Sequence, residues 1–120
     1  MSFQAVADVA DVTANRPFAV EVPATGSMKT DLDVVIVLHE GEYFALVDEC
    51  THGAVPLSEG DVEDGAIECY LHGSVFDLRT GVPRCLPATE PVKVFPCRVD
   101  GTSIEVDIDN PINQQAIRGA

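Results

Sequence analysis

The sequence predicts an all-β domain, a sandwich or barrel of short antiparallel strands, and three observations carry that prediction. The apolar runs are brief and rich in valine and isoleucine. Glycine or proline separates them, and Asp-Gly pairs stand where hairpin turns belong. Almost no stretch has the apolar spacing of a helix. A length of 120 residues suits one domain with a single core and not a second, catalytic domain. The hydrophobic share of 46% argues against disorder despite the charge.

Taken in order, Phe3 to Val6 and Phe18 to Val22 are the first strands, with a short turn over Ala7–Asp11 and a loop at Ala24–Ser27. Val34 to Leu38 is a strongly apolar run. With Tyr43 to Val47 it forms a hairpin whose turn needs the positive φ that Gly41 supplies. His39, beside that turn, reads as a surface residue. Asp61–Glu63 and Ala66–Glu68 flank Asp64-Gly65 as a second hairpin, followed by Val75–Asp77 and a turn ending at Gly81. Val92 to Val99, the turn at Asp100-Gly101 and Ser103 to Ile108 make the last hairpin. The tail over 110–120 has few apolar residues and is expected to be loosely ordered.

Charge narrows the function. With 20 acidic and 7 basic residues, the net charge of −13 disfavours nucleic-acid binding, which needs a basic surface. The acidity serves either solubility or steering towards a basic partner. No apolar run reaches the roughly 20 residues of a membrane helix, and the N-terminus has no signal-like segment. A soluble, cytoplasmic protein without a membrane partner is the expectation.

Two of the four cysteines fall in short clasps: Cys50-Thr51-His52 and, after sixteen intervening residues, Cys69-Tyr70-Leu71-His72. Each clasp offers one soft thiolate and one neutral imidazole. Two of each make the donor set of a 2Fe–2S centre in which histidines replace two cysteines on one iron. They also make a tetrahedral zinc site, although zinc sites more often pair like with like in each clasp. The other two, Cys85 and Cys97, are twelve apart and are read as buried free thiols rather than a bridge.

The flanks of the clasps resemble a known family. Cys50-Thr51-His52-Gly53-Ala54 and the run from Glu68 through Cys69, His72 and Gly73-Ser74-Val75-Phe76-Asp77 to Gly81 are similar to the two cluster-binding loops of Rieske-type ferredoxins. Leu86-Pro87-Ala88-Thr89-Glu90-Pro91-Val92 resembles the proline loop that covers the cluster there. The likeness runs roughly from Phe3 to Asp107.

The resemblance implies a Rieske fold over 1–109, in which two hairpin loops form a small cluster-binding subdomain, about 48–91, set in a larger antiparallel β-sandwich. It implies one Rieske 2Fe–2S cluster. Cys50 and Cys69 would hold one iron, and His52 and His72 the other, which accepts the electron. Gly53 and Gly73 would let the backbone approach the sulfides, and Pro87 with Pro91 would stiffen the cover.

High-potential members have an extra cysteine in each loop, where Val55 and Leu71 stand here, so no loop-to-loop disulfide is expected. Ser74 resembles a serine that donates to a bridging sulfide, whereas Phe76 replaces a tyrosine that donates to a ligand sulfur. The lost hydroxyl and the acidic surface place the potential low in the Rieske range, with Ser74 partly offsetting them. Arg79 and Asp77 are expected to form a structural ion pair.

The implied function is electron carriage from a flavin-dependent reductase to a terminal oxygenase or similar acceptor, with no substrate transformed on this chain. Alternatives are a small accessory subunit of an enzyme such as a nitrite reductase, a protein associated with iron–sulfur assembly, or a zinc-stabilised interaction module.

Overall fold

The computed structural model describes residues 3–23, 32–49, 55–70, 73–85, 90–108 and 111–112. Within them run eleven strands: β1 (Gln4–Asp8), β2 (Phe18–Val22), β3 (Leu32–His39), β4 (Glu42–Val47), β5 (Asp61–Glu63), β6 (Ala66–Glu68), β7 (Val75–Asp77), β8 (Pro83–Cys85), β9 (Val94–Phe95), β10 (Cys97–Asp100) and β11 (Ser103–Val106). Two 3₁₀ turns, Val9–Asp11 and Leu57–Glu59, are the helical elements among the described residues. The strands form three antiparallel sheets, β1-β11-β10, β2-β3-β4-β9 and β5-β6-β7-β8. No helix among them is long and apolar enough to cross a membrane.

The sheet of β2, β3, β4 and β9 is covered on both faces, which explains the unbroken apolar run in β3. Val34 and Ile36 pack with Ala45, Phe95, Ile104 and Val106 on one side. Val35 and Val37 pack with Phe44, Leu46, Leu57, Ile67 and Phe76 on the other. A strand buried on one face alternates apolar and polar residues; a strand between two cores need not. The third sheet, built from 61–85, is therefore seated on its neighbour through a core of its own.

Turn chemistry sets the hairpin registers. In β3–β4, His39 pairs with Glu42 across a two-residue loop, Glu40 at φ 52° and Gly41 at φ 80°. Asp64 at φ 55° and Gly65 at φ 73° repeat this in β5–β6. Positive φ at both central residues is the type I′ turn, whose twist matches that of the strands it joins.

The last hairpin differs from expectation. Instead of one strand over Val92 to Val99, the chain pairs Val94–Phe95 with β4, breaks at Pro96, and continues as β10 beside β11. Pro96 has no N–H to donate, so the ladder cannot run through it, and the chain changes sheet there. The first strand runs on to Asp8, and the turn that follows narrows to Val9–Asp11. An Asp8–Asp11 capping box holds it, with Ala10 N–H donating to Asp8 at 2.8 Å and Asp8 N–H to Asp11 at 3.2 Å. Of the tail, only 111–112 is described, and there Ile112 N–H donates to Val94 O at 2.7 Å.

Candidate metal centre

Both predicted clasps follow directly from strands. β4 ends at Val47, and Asp48-Glu49 lead into Cys50; β6 ends at Glu68, and Cys69 is next. Cys50, His52, Gly53, His72 and Pro87 lie outside the described residues. Cys69, Gly73, Ser74 and Phe76 lie within them.

Cys69 is 1% exposed and packs with Ile67, Leu57 and Phe76. Two backbone hydrogen bonds close the loop it opens: Cys69 N–H donates to Ser74 O at 2.7 Å, and Gly73 N–H donates to Cys69 O at 3.0 Å. Gly73 has φ 75°, a conformation a side chain would strain. Together these bring Gly73 and Ser74 back beside Cys69. Ser74 is fully buried at its close, and Phe76 fills the core beneath it.

These features fit the donor chemistry of an iron–sulfur centre. A thiolate at the edge of an apolar core is costly unless a cation takes up its charge. Iron bound at Cys69 would take up that charge.

Two anchoring features escaped the sequence reading. The Asp48 carboxylate is 8% exposed and accepts from Ser58 N–H at 2.6 Å and from the Ser58 hydroxyl at 2.7 Å. Its own N–H donates to Asp33 O at 2.9 Å. Gly60 lies so close to Glu68 that a Cβ there would overlap the Glu68 carbonyl oxygen and stand 2.9 Å from its carbon. An acid between an apolar strand and a cysteine, two residues before a clasp, was the available signal for Asp48. Gly60, inside Ser-Glu-Gly-Asp, had the look of ordinary loop punctuation.

The polar side chains at the turn end of the third sheet pair otherwise than expected. Arg79 reaches Glu42 in a two-pronged contact at 2.8 and 2.9 Å rather than pairing with Asp77. Asp77 instead takes Arg84 at 2.7 Å and caps the following turn, accepting from Arg79 N–H at 2.9 Å and Thr80 N–H at 3.0 Å. Burial pushes the Asp77 carboxyl up, but the Arg84 and backbone hydrogen bonds together with the Arg84 charge outweigh it, leaving the group below the usual aspartate range. Sequence distance misled here: Arg79 leaves the turn away from Asp77, while Arg84 returns beside it on β8.

Nor is His39 a surface residue. Its side chain is 13% exposed, with Nδ1 2.6 Å from Asn15 Oδ1, and Nε2 accepts from Gly65 N–H at 3.0 Å. The ring thus ties the two hairpin turns together. Cys97 is a free thiol, partly buried, and burial pushes it up to about 12. The side chain of Cys85 lies outside the described residues.

Comparison with known proteins agrees with this geometry. The chain matches the Rieske [2Fe-2S] domain over residues 2–96. It is 52% identical over 67 residues to the anthranilate 1,2-dioxygenase ferredoxin subunit of Burkholderia cepacia, a match covering 56% of this chain and 62% of that protein. With the 3-phenylpropionate/cinnamic acid dioxygenase ferredoxin subunit of Shigella boydii it shares 41% identity over 100 residues, 78% of this chain and 94% of that one. Among solved structures, the Sphingomonas yanoikuyae B1 ferredoxin superposes with a TM-score of 0.76 at 28% identity, covering 88% of this chain and 98% of its own.

Proposed function

We infer the function of this chain from its family: it belongs to the Rieske [2Fe-2S] domain family. It is a one-electron carrier that takes electrons from a flavin-dependent reductase and delivers them to a terminal oxygenase, and it does not transform the oxygenase's substrate itself. The observation that carries this reading is the likeness to a dioxygenase ferredoxin subunit over 94% of that protein's length. When bound, the 2Fe–2S cluster accepts and releases a single electron.

In this proposal Cys50 and Cys69 hold one iron as thiolates, and His52 and His72 hold the other as neutral imidazoles. The protein's part is to fix those four donors and to keep water from the sulfur side. Cys69 does so from the core, beneath which Phe76 and Leu57 leave no exposed surface. The Gly73 turn returns the chain beside Cys69, with the Gly73 N–H donating to the Cys69 carbonyl. Ser74 would donate to a sulfide, and Gly53 and Pro87 would shape the approach and the cover. In this proposal the cluster-binding unit spans about 48–91 and takes in the sheet of β5 to β8. A cytoplasmic site of action suits the free thiol of Cys97, since a reducing compartment keeps cysteines unpaired.

Mixing photoreduced protein with cytochrome c tests the carrier role. We expect one equivalent of cytochrome reduced per chain, with visible bleaching and recovery of a red-brown chromophore. A colourless protein that reduces no cytochrome would end the proposal.

A further inference from the structure

One buried polar contact lies at the root of the first loop assigned above to the cluster. Asp48 is a buried carboxylate, and among the described residues no lysine or arginine pairs with it. Burying a carboxylate without a cation is expensive, and strong hydrogen bonds must offset the cost. Here both carboxylate oxygens are used, and both are used by Ser58, one through its N–H and one through its hydroxyl.

The positions of these two residues explain the arrangement. They bracket the stretch 49–57, which contains Cys50 and His52. The near end is fixed further by Asp48 N–H on Asp33 O, near the start of β3. The far end is fixed by Leu57, fully buried, and by Gly60 N–H on Leu57 O at 2.9 Å. Gly60 in turn lies against the carbonyl of Glu68, the residue before Cys69. The Asp48–Ser58 contact and the Gly60–Glu68 contact, joined by the backbone of the 57–60 turn, therefore link the root of the first clasp to the root of the second.

We propose that Asp48 and Ser58 form a latch that ties together the two ends of the stretch carrying Cys50 and His52, making them positioning residues for the cluster. The proposal rests on the ligand assignment above. A hydrogen bond to a charged group contributes about as much as a tenfold change in an equilibrium, so losing the Ser58 hydroxyl should weaken the Asp48–Ser58 tie about tenfold.

The test follows iron transfer from the oxidised protein to a chelator, read by visible absorbance. Ser58→Ala should lose iron about tenfold faster than wild type, and Ser58→Thr, which restores a hydroxyl, should return near the wild-type rate. Far-UV melting separates this from general weakening. The latch predicts a shift of only a few degrees for Ser58→Ala, because one half-buried hydroxyl is gone while the sandwich is intact.

Amide exchange in the wild type gives an independent reading if the alanine variant does not accumulate. The Ser58 N–H should be protected like the amides of β6. Equal iron loss in Ser58→Ala and wild type would overturn the latch, as would iron loss in Ser58→Thr as fast as in Ser58→Ala, or a Ser58 amide exchanging like an open loop. A wild-type protein that binds no iron would instead overturn the ligand assignment itself.

Discussion

Gly60 offers the sharpest structural prediction, because its requirement for glycine is steric and not conformational. Its φ of −94° is open to any residue. What excludes a side chain is the backbone it faces: an added Cβ would overlap the Glu68 carbonyl oxygen, stand 2.9 Å from the Glu68 carbon and lie 3.3 Å from Leu57 O. Backbone cannot rotate out of the way as a side-chain tip can. Relief means pulling Gly60 off Leu57 or prising Asp61 from its partner Glu68.

Overpacking typically costs 1–3 kcal/mol, and about 3 kcal/mol is appropriate where the obstacle is a paired strand. At about 4 °C per kcal/mol for a domain of this size, Gly60→Ala should melt about 12 °C below wild type. Gly41→Ala is the control. It carries the strain of φ 80°, but its Cβ would meet nothing within 4 Å, so a cost of about 1 kcal/mol and a drop of about 4 °C are expected. Far-UV circular dichroism melts of the holoproteins, with iron content measured on the same samples, provide the assay. Because Glu68 precedes Cys69, Gly60→Ala should also lower iron content. A Gly60→Ala melt within about 4 °C of wild type, or a larger drop for Gly41→Ala, would refute the reasoning.

Three further outcomes are expected. Asp77 titrates below its ordinary value of 3.8 in the fold, so its contribution is present at neutral pH and is lost as pH falls through the lowered value. The melting difference between wild type and Asp77→Asn, of the order of 1 kcal/mol after solvent screening, should shrink below about pH 4; a constant difference down to pH 2 would contradict the assignment. Cys97, with its thiol pushed up to about 12, should resist alkylation by iodoacetamide at pH 8 in the native state and react freely in urea. Peptide mapping that finds it labelled natively as fast as in urea would be the contrary result. Ser74→Ala should lower the reduction potential by some tens of millivolts, a one-electron tenfold change being about 59 mV; an unchanged potential would remove the proposed serine–sulfide bond.

What the sequence disclosed and what it hid follow a physical division. Local chemistry was legible: Asp64-Gly65 and Gly41 mark their turns because positive φ is a property of single residues. Contacts between distant segments were not. His39 looks like a turn residue until Asn15 and Gly65 close on it, and Arg79 looks like a partner for Asp77 until Glu42, 37 residues away, is placed beside it. The run Val92 to Val99 reads as one strand because periodicity does not reveal which sheet a strand joins. Pro96 was the sign that it divides, a missing donor being incompatible with a continuous ladder. Asp48 and Gly60 were hidden for the same reason, since each is explained by a partner from elsewhere in the fold.

The measurement that bears most directly on the central claim is the EPR spectrum of anaerobically purified protein after dithionite reduction, with iron and zinc determined on the same sample. The account predicts two irons per chain and a rhombic signal whose average g lies clearly below that of all-cysteine clusters, as histidine ligation of one iron requires. A silent spectrum with one zinc per chain would contradict it, and the two clasps would then be a structural zinc site.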